Sequence, residues 1–175
     1  AHQHGVNWGK YDLVYKMYSH SQYEFWHDNL KVKPEGYDWF MVVRCPYDRV
    51  LSEFHCKYDN TKNEGFESVD SFNKYLQTKL EDIKVGKMIN NGHFLPQYLY
   101  FDKTIKLFVL KFENIECEFN DLMNLYGLPM RLNNHDNKGQ LKKYSIHDMN
   151  SETIRLINEV YDKDFEYFNY KKIFK

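Results

Sequence analysis

The feature that most constrains the fold of this chain is an apolar run of strand length followed at once by an amphipathic helix, a pattern that occurs twice. Residues 38–43 (DWFMVV) predict a buried strand, and Pro46 stands where a helix can begin. Residues 105–110 (IKLFVL) predict a second strand, and residues 113–126 a second helix that ends at Gly127. This alternation favours an α/β fold with a parallel sheet flanked by helices.

The periodicity of apolar residues gives the helices and their inward faces. The helix that starts at Pro46 is predicted to end near residues 59–60, and another is predicted over residues 69–83. Ser151 is predicted to cap a last helix, which leads into an aromatic tail. The predicted inward residues of these three helices are Val50, Leu51, Phe54, Tyr58, Val69, Phe72, Leu76, Leu80, Ile83, Ile154, Ile157, Val160 and Tyr161.

Length and charge narrow the class of protein. The 175 residues contain no Pro/Gly/Ser-rich linker, so we expect residues 1–175 to form one domain. Because 24 Lys and Arg residues nearly balance 25 Asp and Glu residues, no global positive field holds the chain on nucleic acid, and any anion site is local. No apolar run approaches the roughly 18 to 20 residues of a membrane span. The chain has no C-x-x-C or H-E-x-x-H pattern, so we predict no metal.

A candidate anion site follows the first strand. In an open parallel sheet, ligands bind at the carboxyl ends of the strands, and Arg44 lies there. With Arg49 and Ser52 it forms the pattern R-x-P-x-x-R-x-x-S, whose guanidinium and hydroxyl groups suit a terminal phosphate. The alternative is that both arginines pair with acids such as Asp48 or Glu53 on a solvated helix face.

Four sequence blocks over roughly residues 38 to 170 resemble sulfotransferases of the carbohydrate type. They are VVRCPYDRVLSEF, HFLPQ, LKFENI with NLYGLP, and SETIRLINEVYDKDFEYFNY, in the order of the family. The resemblance implies a P-loop nucleotide-kinase-like fold, 3'-phosphoadenosine 5'-phosphosulfate (PAPS) as sulfate donor, and a hydroxyl acceptor, usually on a carbohydrate. It also implies that Arg44 and Ser52 hold the 3'-phosphate of the donor.

One family element is missing from the sequence. Such enzymes carry a P-x-K-x-x-x-T-like loop that holds the 5'-phosphosulfate, and no such loop precedes Arg44. Its absence agrees with a chain whose N-terminal strand has been removed. The alternative is a non-catalytic nucleotide- or glycan-binding module of the same fold. A P-loop kinase is disfavoured, because G-x-x-x-x-G-K-[ST] is also missing.

Two histidines near the N-terminus are candidates for the catalytic base. The segment H-Q-H-G-V contains His2 and His4 and resembles the H-x-H of glycosaminoglycan uronyl 2-O-sulfotransferases, in which one histidine serves as base. A histidine suits proton removal near neutrality, and we favour His4. The alternative is that both side chains are solvated or bind adventitious metal.

Two further segments resemble parts of the family's active site. The HFLPQ block places His93 and Gln97 where an imidazole and an amide can orient donor or acceptor, unless the block only closes the core. Lys138 and Lys142 lie in a late basic stretch that, by family precedent, covers the donor nucleotide, although such lysines are usually solvated.

The cellular setting is predicted from what the chain lacks. Family members in animals are often membrane-anchored in the Golgi lumen. This chain shows no anchor and has three scattered cysteines, so we expect a cytoplasmic setting. A Golgi setting is the alternative if an N-terminal anchor has been removed.

Overall fold

A computed structural model of the chain describes residues 38–55, 68–87, 93–100, 106–132 and 143–175. Within these ranges two parallel strands stand among five α-helices, so the expected α/β class is confirmed at this level. The prediction of a single domain over residues 1–175 is untested. Among the described helices, none combines the length and the apolar character that a bilayer crossing requires.

The two predicted strands pair directly with each other. Strand β1 (Trp39–Val43) and strand β2 (Leu107–Lys111) run parallel, with Trp39 opposite Leu107 and Val43 opposite Lys111. Because the strands are parallel and in register, their carboxyl ends meet at one edge of the sheet. The segments that follow Val43 and Lys111 are therefore neighbours in space.

Each strand leads into a helix, as the sequence predicts. Helix α1 (Pro46–Phe54) has its proline in the first turn, where the missing N–H costs no hydrogen bond. After β2 a short 3-10 turn (Phe112–Asn114) leads into helix α3 (Ile115–Leu125). Helix α3 ends in a Schellman motif: the N–H of Leu128 donates to the carbonyl of Met123 at 2.9 Å, and Gly127 has φ of 61°.

Three more helices complete the described fold. They are α2 (Val69–Lys84), α4 (Ser151–Val160) and α5 (Asp162–Tyr167). Helix α2 begins with a capping box between Ser68 and Ser71. A 3-10 turn (Gln97–Tyr100) precedes β2 and packs near α5.

The main core lies between the helices. Residues from α1, α2, α4 and α5 and the loop residue Phe94 form one buried cluster. A smaller cluster of Leu110, Leu122 and Met123 joins β2 to α3. The predicted inward faces are confirmed for Val50, Leu51, Phe54, Phe72, Leu76, Leu80, Ile154, Ile157 and Tyr161, all of which are buried.

Three local predictions are wrong. Helix α1 ends at Phe54 rather than near residues 59–60, because His55 caps it: the backbone N–H and the ring Nδ1 of His55 both bond the carbonyl of Leu51. The cap of α4 is Asn150, whose side chain accepts the N–H of Thr153, so Ser151 is the first helical residue. Val69 is exposed because it lies in the first turn of α2.

Candidate functional site

The candidate site lies at the edge of the sheet where β1 ends. Arg44 is the first residue after the strand, and Cys45 is the N-cap residue of α1. Among the described residues, no side-chain hydrogen bond caps this helix. The N–H groups of a first helical turn have no partner within the helix. A guanidinium and the positive end of a helix thus share one edge of the sheet.

The guanidinium of Arg44 packs on an aromatic ring. Its central carbon lies 4.6 Å from the centroid of the Phe112 ring, which comes from the turn after β2. Within the part of the chain that the structure describes, Arg44 has no carboxylate partner within ion-pair distance. The alternative interpretation requires an acid that neutralises the charge of Arg44, and no described acid does so.

The backbone of Arg44 is bonded to a side chain on both sides. The N–H of Arg44 donates to Oε1 of Gln97 at 2.8 Å, and Nε2 of Gln97 donates to the carbonyl of Arg44 at 2.8 Å. Only 6% of Gln97 is exposed. The described hydrogen bonds of the Gln97 amide go to Arg44 and Asp164. Its contact with a substrate stays a prediction.

A buried carboxylate holds Gln97 in turn. Oδ2 of Asp164 accepts the backbone N–H of Gln97 at 2.8 Å, and Oδ1 accepts that of Tyr98 at 2.7 Å. The Asp164 side chain is completely buried. Burial raises its pKa, while the two N–H groups and the charge of Arg49 act in the opposite direction.

Arg49 fastens the HFLPQ segment to α1. Its guanidinium donates to the carbonyl of His93 at 2.7 Å and to that of Leu95 at 2.6 Å. Nδ1 of His93 lies 3.3 Å from Oε2 of Glu53, so the ring is held by the same helix. The structure thus assigns Arg49 two loop carbonyls, whereas its binding to a phosphate stays a prediction.

Ser52 lies on the same side of α1 as Arg49, three residues further on. It is half-buried, and its hydroxyl has no hydrogen bond within the described ranges. The role of Ser52 as a phosphate ligand stays a prediction.

A second carboxylate supports the turn after Arg44. Oε1 of Glu113 accepts the N–H of Cys45 at 2.7 Å, and Oε2 accepts the hydroxyl proton of Tyr170 at 2.9 Å. Burial, followed by the bond to Glu113, raises the pKa of Tyr170 well above its usual value. Three of the four polar backbone groups of Arg44 and Cys45 are thus bonded to side chains, and the fourth, the carbonyl of Cys45, accepts the N–H of Arg49 at 2.9 Å.

The remaining predicted site residues lie outside the described ranges. These are His2, His4, Lys138 and Lys142. In residues 38–55, 68–87, 93–100, 106–132 and 143–175, no three His, Cys, Asp or Glu side chains are grouped as a metal site requires.

The sequence reading missed the two carboxylates that organise this site. One signal for Asp164 was available: it falls on the apolar stripe of the last helices, with Tyr161, Phe165 and Phe168 at three- and four-residue spacing. An acid on a buried stripe requires buried donors, because an unpaired carboxylate there is costly. Nothing in the spacing indicated that those donors belong to Gln97 and Tyr98.

Comparison with known proteins identifies the family of the chain. The model of the sulfotransferase family matches residues 11–171, which is nearly the whole chain. No curated protein and no solved structure gives a significant match. The family match includes the Arg44 turn, the HFLPQ segment and the C-terminal helices that hold it. On this evidence, the chain belongs to the sulfotransferase family.

Proposed function

We propose that the protein transfers a sulfuryl group from PAPS to a hydroxyl group of a carbohydrate. The acceptor oxygen attacks sulfur, the bond from sulfur to the bridging phosphate oxygen breaks, and adenosine 3',5'-bisphosphate leaves. The proton of the acceptor passes to a base, for which we propose His4, with His2 as the second candidate. The fold that we propose for the whole domain is the nucleotide-kinase-like fold.

The observation that supports this proposal is the position of Arg44. Its guanidinium lies at the carboxyl edge of a parallel sheet, beside the start of α1, and no described carboxylate neutralises it. Planar guanidinium groups bind phosphate oxygens in pairs, and backbone N–H groups at a helix start add donors. A terminal phosphate on a nucleotide fits this combination.

The other proposed ligands differ in what supports them. Ser52 contributes a hydroxyl on the neighbouring helical turn, and we propose that it donates to the same phosphate. Arg49 already bonds two carbonyls, so its proposed contribution is to hold the loop at His93 and to add positive charge. Lys138 and Lys142 are proposed to cover the nucleotide, as the family resemblance implies.

The donor site is tested by titration calorimetry with two nucleotides. Adenosine 3',5'-bisphosphate should bind much more tightly than adenosine 5'-monophosphate, which lacks the 3'-phosphate. Arg44→Ala should weaken binding of the bisphosphate by about tenfold to a hundredfold, since a hydrogen bond to a charged group contributes about 1.5 to 3 kcal/mol. Arg155→Ala is the matched control, because Arg155 pairs with Glu152 on the surface of α4. Equal affinity of the wild-type protein for both nucleotides would contradict the proposal.

The transfer step needs a separate assay. Radiolabelled sulfate donor is incubated with glycosaminoglycan and other carbohydrate acceptors, and label in the product is counted. His4→Ala should lower turnover by about a hundredfold with nucleotide affinity unchanged, and His2→Ala should lower it less. Tight bisphosphate binding without transfer to any acceptor would indicate the non-catalytic module instead.

A further inference from the structure

The pairing between Gln97 and Arg44 has the form of one rung of a β-ladder. A primary amide presents one donor and one acceptor side by side, and here both meet the N–H and the carbonyl of the same residue at 2.8 Å. Arg44 is the first residue after β1, where the chain turns toward α1. The amide therefore continues the pairing of β1 for one residue beyond the strand.

We propose that Gln97 is a positioning residue that sets the selectivity of the Arg44 site for the 3'-phosphate, and that Asp164 fixes Gln97 in this position. The inference rests on the proposed donor site. It assigns to the HFLPQ segment a role beneath the nucleotide rather than in contact with it. It also assigns the C-terminal helix α5 to the donor site.

The bonds leave Gln97 little freedom to move. Its backbone N–H and its Nε2 both approach Oδ2 of Asp164, at 2.8 and 3.3 Å. Rotation of the amide would turn a carbonyl oxygen toward this carboxylate and leave the carbonyl of Arg44 without its donor. The buried acid thus selects one orientation of the amide, and the amide selects one backbone geometry at Arg44.

This geometry matters because Arg44 acts through a side chain attached to the fixed turn. The side chain already packs on Phe112, so a shift of the backbone moves the guanidinium away from either the ring or the phosphate. Bidentate binding of a phosphate depends strongly on alignment. Loss of Gln97 should therefore affect the 3'-phosphate far more than the rest of the nucleotide.

The test compares two glutamines whose side chains both make hydrogen bonds between elements of the fold. Gln97→Met keeps the length of the side chain and removes the ladder-like pair. Gln77→Met is the matched control, because Nε2 of Gln77 also makes two hydrogen bonds, to Asn150 at 3.1 Å and Thr153 at 3.0 Å, at the interface of α2 with α4. The readout is the ratio of affinities for adenosine 3',5'-bisphosphate and adenosine 5'-monophosphate, which a fraction of unfolded protein does not change.

Gln97→Met should reduce this ratio by about tenfold, whereas Gln77→Met should leave it at the wild-type value. A wild-type ratio in folded Gln97→Met overturns the inference and leaves the donor site standing. If the wild-type protein itself shows no preference, the donor site fails and this inference fails with it.

Two further measurements decide the case if Gln97→Met does not fold. Asp164→Asn keeps the Gln97 amide but offers only one acceptor oxygen, and it should reduce the ratio by about threefold. In the wild-type protein, hydrogen exchange at the Arg44 N–H should be as slow as at the amides of β1. Exchange at the rate of an unprotected loop, or an unchanged ratio in Asp164→Asn, would overturn the proposal.

Discussion

The two strand–helix units of this protein have the same topology, but the residues that connect strand to helix carry opposite charges. The first, β1 with α1, has a cation in its connection, and its helix is buried in the main core. The second, β2 with α3, has Glu113 in its connection, and only Leu122 and Met123 of its helix are buried. Parallel pairing brings the two connections together, so the acid of the second unit bonds the backbone of the first. The shared topology gives the site its place, and the residues in each connection give it its chemistry.

The largest expected difference between the units is in stability. Leu51 in α1 is 2% exposed and Leu125 in α3 is 68% exposed. Leu51→Ala should lower the free energy of unfolding by about 2 to 5 kcal/mol, because it leaves a cavity in the main core. Leu125→Ala should change it by about 0.5 kcal/mol or less. Urea denaturation measures both, and equal losses would show that the outer unit is as tightly packed as the inner one.

The ends of two helices provide a comparison in which burial plays no part. Gly86 after α2 and Gly127 after α3 both have positive φ, and a Cβ at either would meet nothing within 4 Å. Alanine at either position should therefore cost about 1 to 2 kcal/mol from the left-handed backbone alone. Thermal unfolding of Gly86→Ala and Gly127→Ala should give similar losses. A much larger loss at Gly86 would mean that the core transmits the backbone strain.

At alkaline pH, a tyrosine in the core should affect stability more than a tyrosine in the outer unit. Burial raises the pKa of Tyr161, whose hydroxyl donates to the carbonyl of Phe94 at 2.8 Å. Above about pH 10 the unfolded chain loses this proton while the folded chain keeps it, so stability falls as pH rises. Tyr161→Phe should make this decline shallower by about 1.4 kcal/mol per pH unit.

The control for this pH experiment is Tyr126→Phe at the end of α3. The pKa of Tyr126 is raised mainly by its hydrogen bond to Asp38, at a site open to solvent. Water and salt weaken such an interaction, so the slope should change less than in Tyr161→Phe. Denaturation at several pH values between 9 and about 11 decides the matter, and equal changes of slope would contradict the assignment to burial.

The smallest expected effect is that of the Glu113 charge on nucleotide binding, at the edge of the sheet where the two strand–helix connections lie side by side. Glu113→Gln keeps an oxygen for the N–H of Cys45 and removes a negative charge beside Arg44. Adenosine 3',5'-bisphosphate should bind about two- to fivefold more tightly at low salt, with less gain at high salt. Glu116→Gln, in the first turn of α3, is the control. Weaker binding by Glu113→Gln would mean that Glu113 serves the site through its hydrogen bonds rather than its charge.

Local features of the fold could be predicted from the sequence, and long-range bonds could not. The strand before Arg44 and the helix stop at Gly127 depend on nearby residues, and both are confirmed. The end of α1 depends on His55, which also accepts the N–H of Tyr144. A contact across 89 residues has no counterpart in apolar periodicity. Asn150 and Ser151 are both good caps, and only the tertiary placement decides between them.

The candidate site shows the same division. The place of Arg44 follows from a strand, a turn and a proline, all adjacent in sequence. The bonds that hold it come from Gln97, 53 residues away, and the acid that holds Gln97 lies a further 67 residues on. The family resemblance predicted that HFLPQ lies near the site, but it left open whether the amide faces a substrate or the core. Asp164 sets the direction of the Gln97 side chain, and Asp164 reaches Gln97 only in the folded core.

The bond between Tyr47 and the end of the described chain has a consequence for synthesis on the ribosome. The hydroxyl of Tyr47 bonds Asn158, which lies 111 residues later, and accepts the N–H of Ile173 at 2.8 Å. At about 5 to 20 residues per second, Tyr47 is made about 6 to 25 s before these partners. During that interval α1 can pack on α2, as Phe54 does on Phe72, but it lacks the residues of α4 and α5 that complete its burial. A nascent chain of this protein therefore offers a chaperone a defined target, and slower translation lengthens the time for which that target is exposed.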